Sequence, residues 1–79
     1  MINMTVLSQD RKIIFSGKNF SAEKNLGGGK DKKYVIIGYT KGNMSSRVLA
    51  YYKEEKEAVD ELSKLFDAIE SGRDTYSFS

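Results

Sequence analysis

The segment KEEKEAVDELSKLFDAIESG, residues 53–72, carries one apolar stripe at helical spacing, and this limits the architecture more than any other feature. Ala58, Val59, Leu62, Leu65, Phe66 and Ile69 recur at the three- and four-residue intervals of one helix face. A helix with a single apolar stripe cannot bury that stripe alone; it needs a flat apolar surface beneath it. Glu54, Glu55 and Glu57 crowd the first turn, where the helix dipole favours negative charge. Asp60 and Lys64 sit four apart in the order that favours an ion pair. Gly72 stands where a left-handed C-terminal cap needs glycine. Neither Tyr52 nor Lys53 offers a capping oxygen, so the helix, predicted over 53–71, starts without a strong N-cap.

The front of the chain supplies the flat surface. YVIIGYT (34–40) and SRVLAYY (46–52) are β-branched and aromatic, hence strands, and both carry apolar residues on both faces. Between them KGNMS places Gly42 and Asn43 where a turn needs positive φ. MTVLS and KIIFS read as short strands separated by the polar QDR, and Gly17 punctuates before NFSAEK, where Phe20 and Ala22 alternate with polar residues. After the helix, TYSFS puts Tyr76 and Phe78 on one face. The order predicts a single α+β domain over 1–79. It has an antiparallel meander of about five strands, one C-terminal amphipathic helix on the sheet, and a short final strand at a sheet edge or against another subunit.

Seventy-nine residues bury a smaller share of their surface than a larger domain does. The chain has no cysteine and no histidine, which removes disulfides and nearly all structural zinc sites, so the expected supplement to its stability is a homo-oligomer. The same absence removes the usual general bases and thiol nucleophiles. No Asp-x-Asp-x-Asp-Gly pattern is present for calcium. The expectation is a protein that is not an enzyme, with no catalytic residues, no metal and no cofactor. No signal-peptide pattern and no apolar run of membrane-spanning length occurs, so no membrane association and a cytoplasmic location are expected.

The net charge of +2 hides an asymmetry. Residues 1–53 hold ten Lys and Arg against three Asp and Glu; residues 54–79 hold three against eight. A basic front and an acidic back could attract each other or serve an anionic ligand.

The C-terminal stretch LAYYKEEKEAVDELSKLFDAIESGRDTYSFS resembles small uncharacterised proteins common in phages and mobile elements of Gram-positive bacteria. Those share a strand ending in tyrosine, a Glu-rich helix start, an Ala–Val…Leu…Leu–Phe…Ile face, then glycine and Tyr-x-Phe/Met. The resemblance covers about the last 35 residues and implies a context, action by binding something in the host, without a function transferable residue by residue.

The segment NLGGGKDKK (25–33) lies outside that resemblance. It is not a Walker A loop, because Lys30 is followed by Asp31 and then by a strand instead of a helix. Consecutive glycines can still present backbone N–H groups as an anion-binding nest, with Lys30, Lys32 and Lys33 around it. The plainer reading is a long, mobile hairpin connection, since three glycines are entropically costly to order. Tyr34, Tyr39, Arg47, Tyr51 and Tyr52 are nearby candidates, since tyrosines stack on bases and Arg neutralises phosphate. The ligand-binding candidates are Gly28, Gly29, Lys30, Lys32, Tyr39 and Arg47.

Three functions follow. The first is a binding protein that captures a small anionic, nucleotide-type ligand at an oligomer interface; with the phage resemblance it becomes a counter-defence protein that sequesters a nucleotide signal. The second is a protein–protein inhibitor or adaptor for a host protein. It would act through the exposed sheet face or through an acidic helix surface of Glu54, Glu57, Asp60, Glu61, Asp67 and Glu70. The third, nucleic-acid binding by the basic front segment, ranks last because the acidic segment opposes it.

Overall fold

A computed structural model describes residues 4–17, 19–40 and 45–79. In chain order the elements are β1 (Met4–Leu7), β2 (Ile14–Gly17), β3 (Asn19–Lys24), β4 (Tyr34–Tyr39), β5 (Ser46–Tyr52), α1 (Glu55–Glu70) and β6 (Thr75–Ser77). The α+β class is as predicted, with five strands before the helix and one after. The strands divide between two three-stranded sheets, in the orders β2-β1-β6 and β3-β4-β5. The second is the antiparallel meander. The final strand pairs within its own chain, parallel to β1. Gly42 and Asn43 lie outside the described residues. No helix among the described residues is long and apolar enough to cross a membrane.

The chain passes from one sheet to the other at Gly17. A Cβ there would come within 2.6 Å of both the Phe15 ring and the Tyr39 carbonyl oxygen, so only glycine allows the two sheets to approach at this corner. Gly38 makes the matching concession on β4, again to the Phe15 ring. That ring then sits edge-on to Phe20, 6.2 Å between centroids.

One core joins all three layers. Met4, Val6, Phe15 and Phe78 from the first sheet meet Ile36, Leu49, Ala50 and Tyr52 from the second, and Ala58, Leu65 and Ala68 of α1 close it. β5 carries one extra residue between its pairings Ile36↔Ala50 and Ile37↔Val48. This bulge turns both Leu49 and Ala50 inward, at 2% and 0% exposure.

The helix is present as predicted, but its buried face is rotated from the predicted stripe. Ala58, Glu61, Leu65 and Ala68 are buried and Leu62 and Ile69 are half-buried, while Val59 and Phe66 stand 46% and 59% exposed. Two small alanines let the helix approach the sheets closely. Glu61 is tolerated at 4% exposure because Tyr76 Oη donates to its carboxylate at 2.6 Å and the Ser79 N–H at 3.2 Å. Glu61 is therefore not part of an acidic surface. The ion pairs on the helix are Lys56–Asp60 at 2.7 Å and Lys64–Glu61 at 4.0 Å, not Asp60–Lys64.

The N-terminus of α1 is better capped than predicted: Glu57 Oε1 accepts the Glu54 N–H at 3.1 Å. At the C-terminus Gly72, φ 81°, donates to Ile69 O and Arg73 donates to Ala68 O, which is the two-bond Schellman termination the glycine foretold.

Candidate functional site

Sheet β3-β4-β5 has one face on the core and helix and one face turned away. Alternation along the strands sorts the side chains. Phe20, Ala22, Tyr34, Ile36, Gly38, Ala50 and Tyr52 lie on the inner side, where Phe20, Ala22 and Tyr34 fringe the core. Ser21, Glu23, Val35, Ile37, Tyr39, Val48 and Tyr51 lie on the outer side. The four strand tyrosines considered above therefore split. Tyr34 and Tyr52 belong to the core side, and Tyr39 and Tyr51 face outward.

The outward face has a hydrophobic centre. Val35 is 3% exposed yet belongs to no part of the main core; it is covered on the outer side, between its cross-strand neighbours Glu23 and Tyr51. Val48 and Tyr51 are more than a third exposed, at 36% and 38%. Lys32 holds its Nζ 4.9 Å from the Tyr51 ring centroid, a cation–π contact that fixes the ring's outer flank.

The polar part of the face is a small network. Tyr39 Oη donates to Glu23 Oε2 at 2.7 Å, and Ser21 Oγ donates to the same oxygen at 2.6 Å. The Ser21 hydroxyl first, and the Tyr39 hydroxyl second, hold the Glu23 carboxyl below its ordinary value; the same bond pushes Tyr39 up. Glu23 thus keeps a negative charge on this face at neutral pH.

The glycine loop joins β3 to β4 as an ordered hairpin connection. Asn25 closes it: its N–H donates to Lys33 O at 2.7 Å and its Nδ2 donates to Lys32 O at 2.9 Å. The Gly28 N–H donates back to Asn25 O at 3.3 Å, so that amide serves the loop itself. A Cβ on Gly28 would fall on the Lys32 carbonyl oxygen and the Asn25 amide, and Gly29 has φ 77°. Two of the three glycines are thus required by backbone geometry. Leu26, next to Asn25 in this loop, is 90% exposed.

The six sequence candidates fall into two groups. Gly28, Gly29, Lys30 and Lys32 are at the loop end of β4, together with Tyr51. Tyr39 and Arg47 are at the other end, where Tyr39 pairs with Ser46 and Arg47 lies opposite Gly38. Five residues of strand, about 16 Å, separate the two groups. Sequence reasoning singled out neither Val48 nor Leu26. The apolar content of both faces of β4 and β5 was the signal for Val48; no pattern in the sequence marks Leu26.

Among the described residues, no three His, Cys, Asp or Glu side chains converge to hold a metal ion. The chain matches no family model, no curated protein and no solved structure, so this face is read on its own chemistry.

Proposed function

We propose that this chain is a non-enzymatic binding protein that holds another protein on the outward face of β3-β4-β5. The observation that carries the reading is the face itself: Tyr51 and Val48 exposed over a buried Val35, rimmed by Lys32, Tyr39 and Glu23. Tyrosine and aliphatic contacts inside a polar rim are the composition of protein interfaces, and tyrosine is enriched among the residues that dominate their energetics. The charges on this face are of both signs, which suits a protein surface better than a phosphate. With the phage resemblance, the partner class is a host protein.

A second reading keeps the small anionic ligand. It is favoured by the cluster of Lys30, Lys32 and Lys33, all exposed at one end of the sheet beside the Tyr51 ring. It would use the loop end alone, since Arg47, opposite Gly38, lies at the far end of the strand and on the inner side of the sheet.

Two measurements separate the readings. The first compares wild type with Tyr51→Ala and Lys30→Ala as bait in a lysate of a Gram-positive host, and titrates any retained protein, once purified, by calorimetry. Retention that is lost with Tyr51→Ala and kept with Lys30→Ala is the result expected for a protein partner. The second is a thermal-shift panel of nucleotides, cyclic dinucleotides and ADP-ribose derivatives. A compound that raises the midpoint of wild type but not of Lys30→Ala would overturn the protein reading in favour of ligand capture; at 100 times its Kd it adds about 2.7 kcal/mol.

A further inference from the structure

The exposed stripe of α1 and the open edge of β3 border one groove of about 590 Å³, lined by Asn19, Phe20, Val59, Leu62, Ser63 and Phe66. We propose that its occupant is a second copy of this chain, docked by antiparallel β3–β3 pairing about a two-fold axis through Ala22, with the two helix stripes in contact.

Three observations point to a self-complementary partner. First, β3 is an edge strand of the β3-β4-β5 sheet, and its outer side makes no backbone hydrogen bond to another described element. Such an edge is a template for an additional strand. Second, Val59, Leu62, Phe66 and Ile69 recur at the 3-4-3 spacing by which two helices seat side chains between one another. Phe66 is the most exposed of them at 59%.

The third observation is charge, and it selects the register. Residues paired across an antiparallel ladder face the same way, so Phe20, Ala22 and Lys24, which face the helix side, must pair among themselves. Centring the axis on Ala22 sets Phe20 opposite Lys24 and Ser21 opposite Glu23. The lysine stem then lies on a ring, and the glutamate meets a hydroxyl of the kind it already binds at 2.6 Å within one copy. Centring on Glu23 would oppose two like charges, and centring on Ser21 would leave Lys24 beyond the end of the ladder.

The same axis, normal to the sheet, runs the two helices antiparallel on one face. It brings Lys56 of each helix toward Glu70 of the other copy, and Arg73, which stands between Glu70 and Asp74, toward the acidic first turn. One ladder of two five-residue strands and two apolar stripes together bury on the order of 1,000 Å², the threshold for a specific dimer. The product is a continuous six-stranded sheet carrying two outward faces side by side.

The test is sedimentation velocity of the full chain over a wide concentration range, for wild type and Phe66→Asp, with circular dichroism as the check on folding. Phe66 is more than half exposed, so its replacement leaves the monomer folded. The expected result is a concentration-dependent dimer whose Kd rises about 100-fold or more in Phe66→Asp. Because the chain has no cysteine, Ala22→Cys reads the register: with oxidised glutathione it should form a disulfide-linked dimer, and Ile14→Cys on the other sheet should not. A monomer at every concentration, or a dimer indifferent to Phe66→Asp, would overturn the proposal. A Phe66-dependent dimer that Ala22→Cys cannot link would overturn the two-fold through Ala22.

Discussion

The two edges of the β3-β4-β5 sheet are treated in opposite ways. The β5 edge is closed from within the chain. At its bulge the Gln9 N–H donates to Leu49 O at 2.8 Å, and Gln9 Oε1 accepts the Tyr51 N–H at 2.9 Å. The same side chain donates through Nε2 to Ser79 O at 3.0 Å, where Tyr52 Oη also donates at 2.9 Å. One glutamine therefore ties the first sheet, the second sheet and the C-terminal segment together. Among the described residues the β3 edge has no such cover, and it lies beside the exposed helix stripe. An open backbone edge is an invitation to pair, and proteins ordinarily blunt or cover it. The fold closes one edge with this much hydrogen bonding and, among the described residues, leaves the other open beside Phe66, which is the contrast the dimer proposal rests on.

The largest expected effect is on the closed edge. Phe78, 2% exposed and edge-on to Tyr76 at 5.3 Å, anchors the segment that presents Ser79 to Gln9. Phe78→Ala should cost about 3–5 kcal/mol in urea unfolding; a cost below about 1 kcal/mol would mean that the C-terminal segment is not part of the core. Next is Glu61→Ala, which strands the Tyr76 hydroxyl and the Ser79 amide, at about 1–3 kcal/mol by the same assay. Gln9→Ala follows at about 1–2 kcal/mol, with faster exchange of the Tyr51 amide as its particular signature.

Alkaline pH probes the same corner. Burial first, and the Glu61 and Glu57 charges second, push the Tyr52 hydroxyl well above its ordinary 10.0. Tyr76 is raised by burial and by its bond to Glu61, with Arg73 opposing. Raised values mean that the folded state holds protons the unfolded state releases. Stability is thus complete below pH 10.0 and falls as the pH rises above it. The melting temperature should drop on that limb, and Tyr76→Phe should make the drop shallower. The smallest effect belongs to the open side: Phe66→Asp should change monomer stability by no more than about 0.5 kcal/mol at low protein concentration.

Much of the fold was legible because local signals agreed. β3, at NFSAEK, and β5, at SRVLAYY, begin and end where alternation and β-propensity placed them, and Gly72 marked the helix end through its cap. The division into two sheets was not legible, because it turns on Gly17 and Gly38 yielding to one phenylalanine ring, a contact between distant positions. The helix face was misread for a related reason. Ala58, Leu65 and Ala68 form one 3-4-3 row with Glu61, and Val59, Leu62, Phe66 and Ile69 form the next. Periodicity shows that both are apolar but not which row meets the sheet. Two alanines and a hydrogen-bonded glutamate decide it, and glutamate reads as a surface residue in any sequence. Tyr39 and Arg47 fall on the predicted strands, and the lysines in the loop between β3 and β4. Their separation along β4 follows from the strand length, but Gln9, which closes the opposite edge, carries no signal beyond being polar.

Hydrogen–deuterium exchange of β3 and β5 amides, followed as a function of protein concentration, tests the contrast between the edges most directly. The account predicts that Tyr51 is protected at every concentration, while the outward amides of β3 exchange rapidly in dilute solution and become protected as the protein is concentrated. Protection of β3 that does not change with concentration, or a Tyr51 amide as labile as the β3 edge, would contradict it.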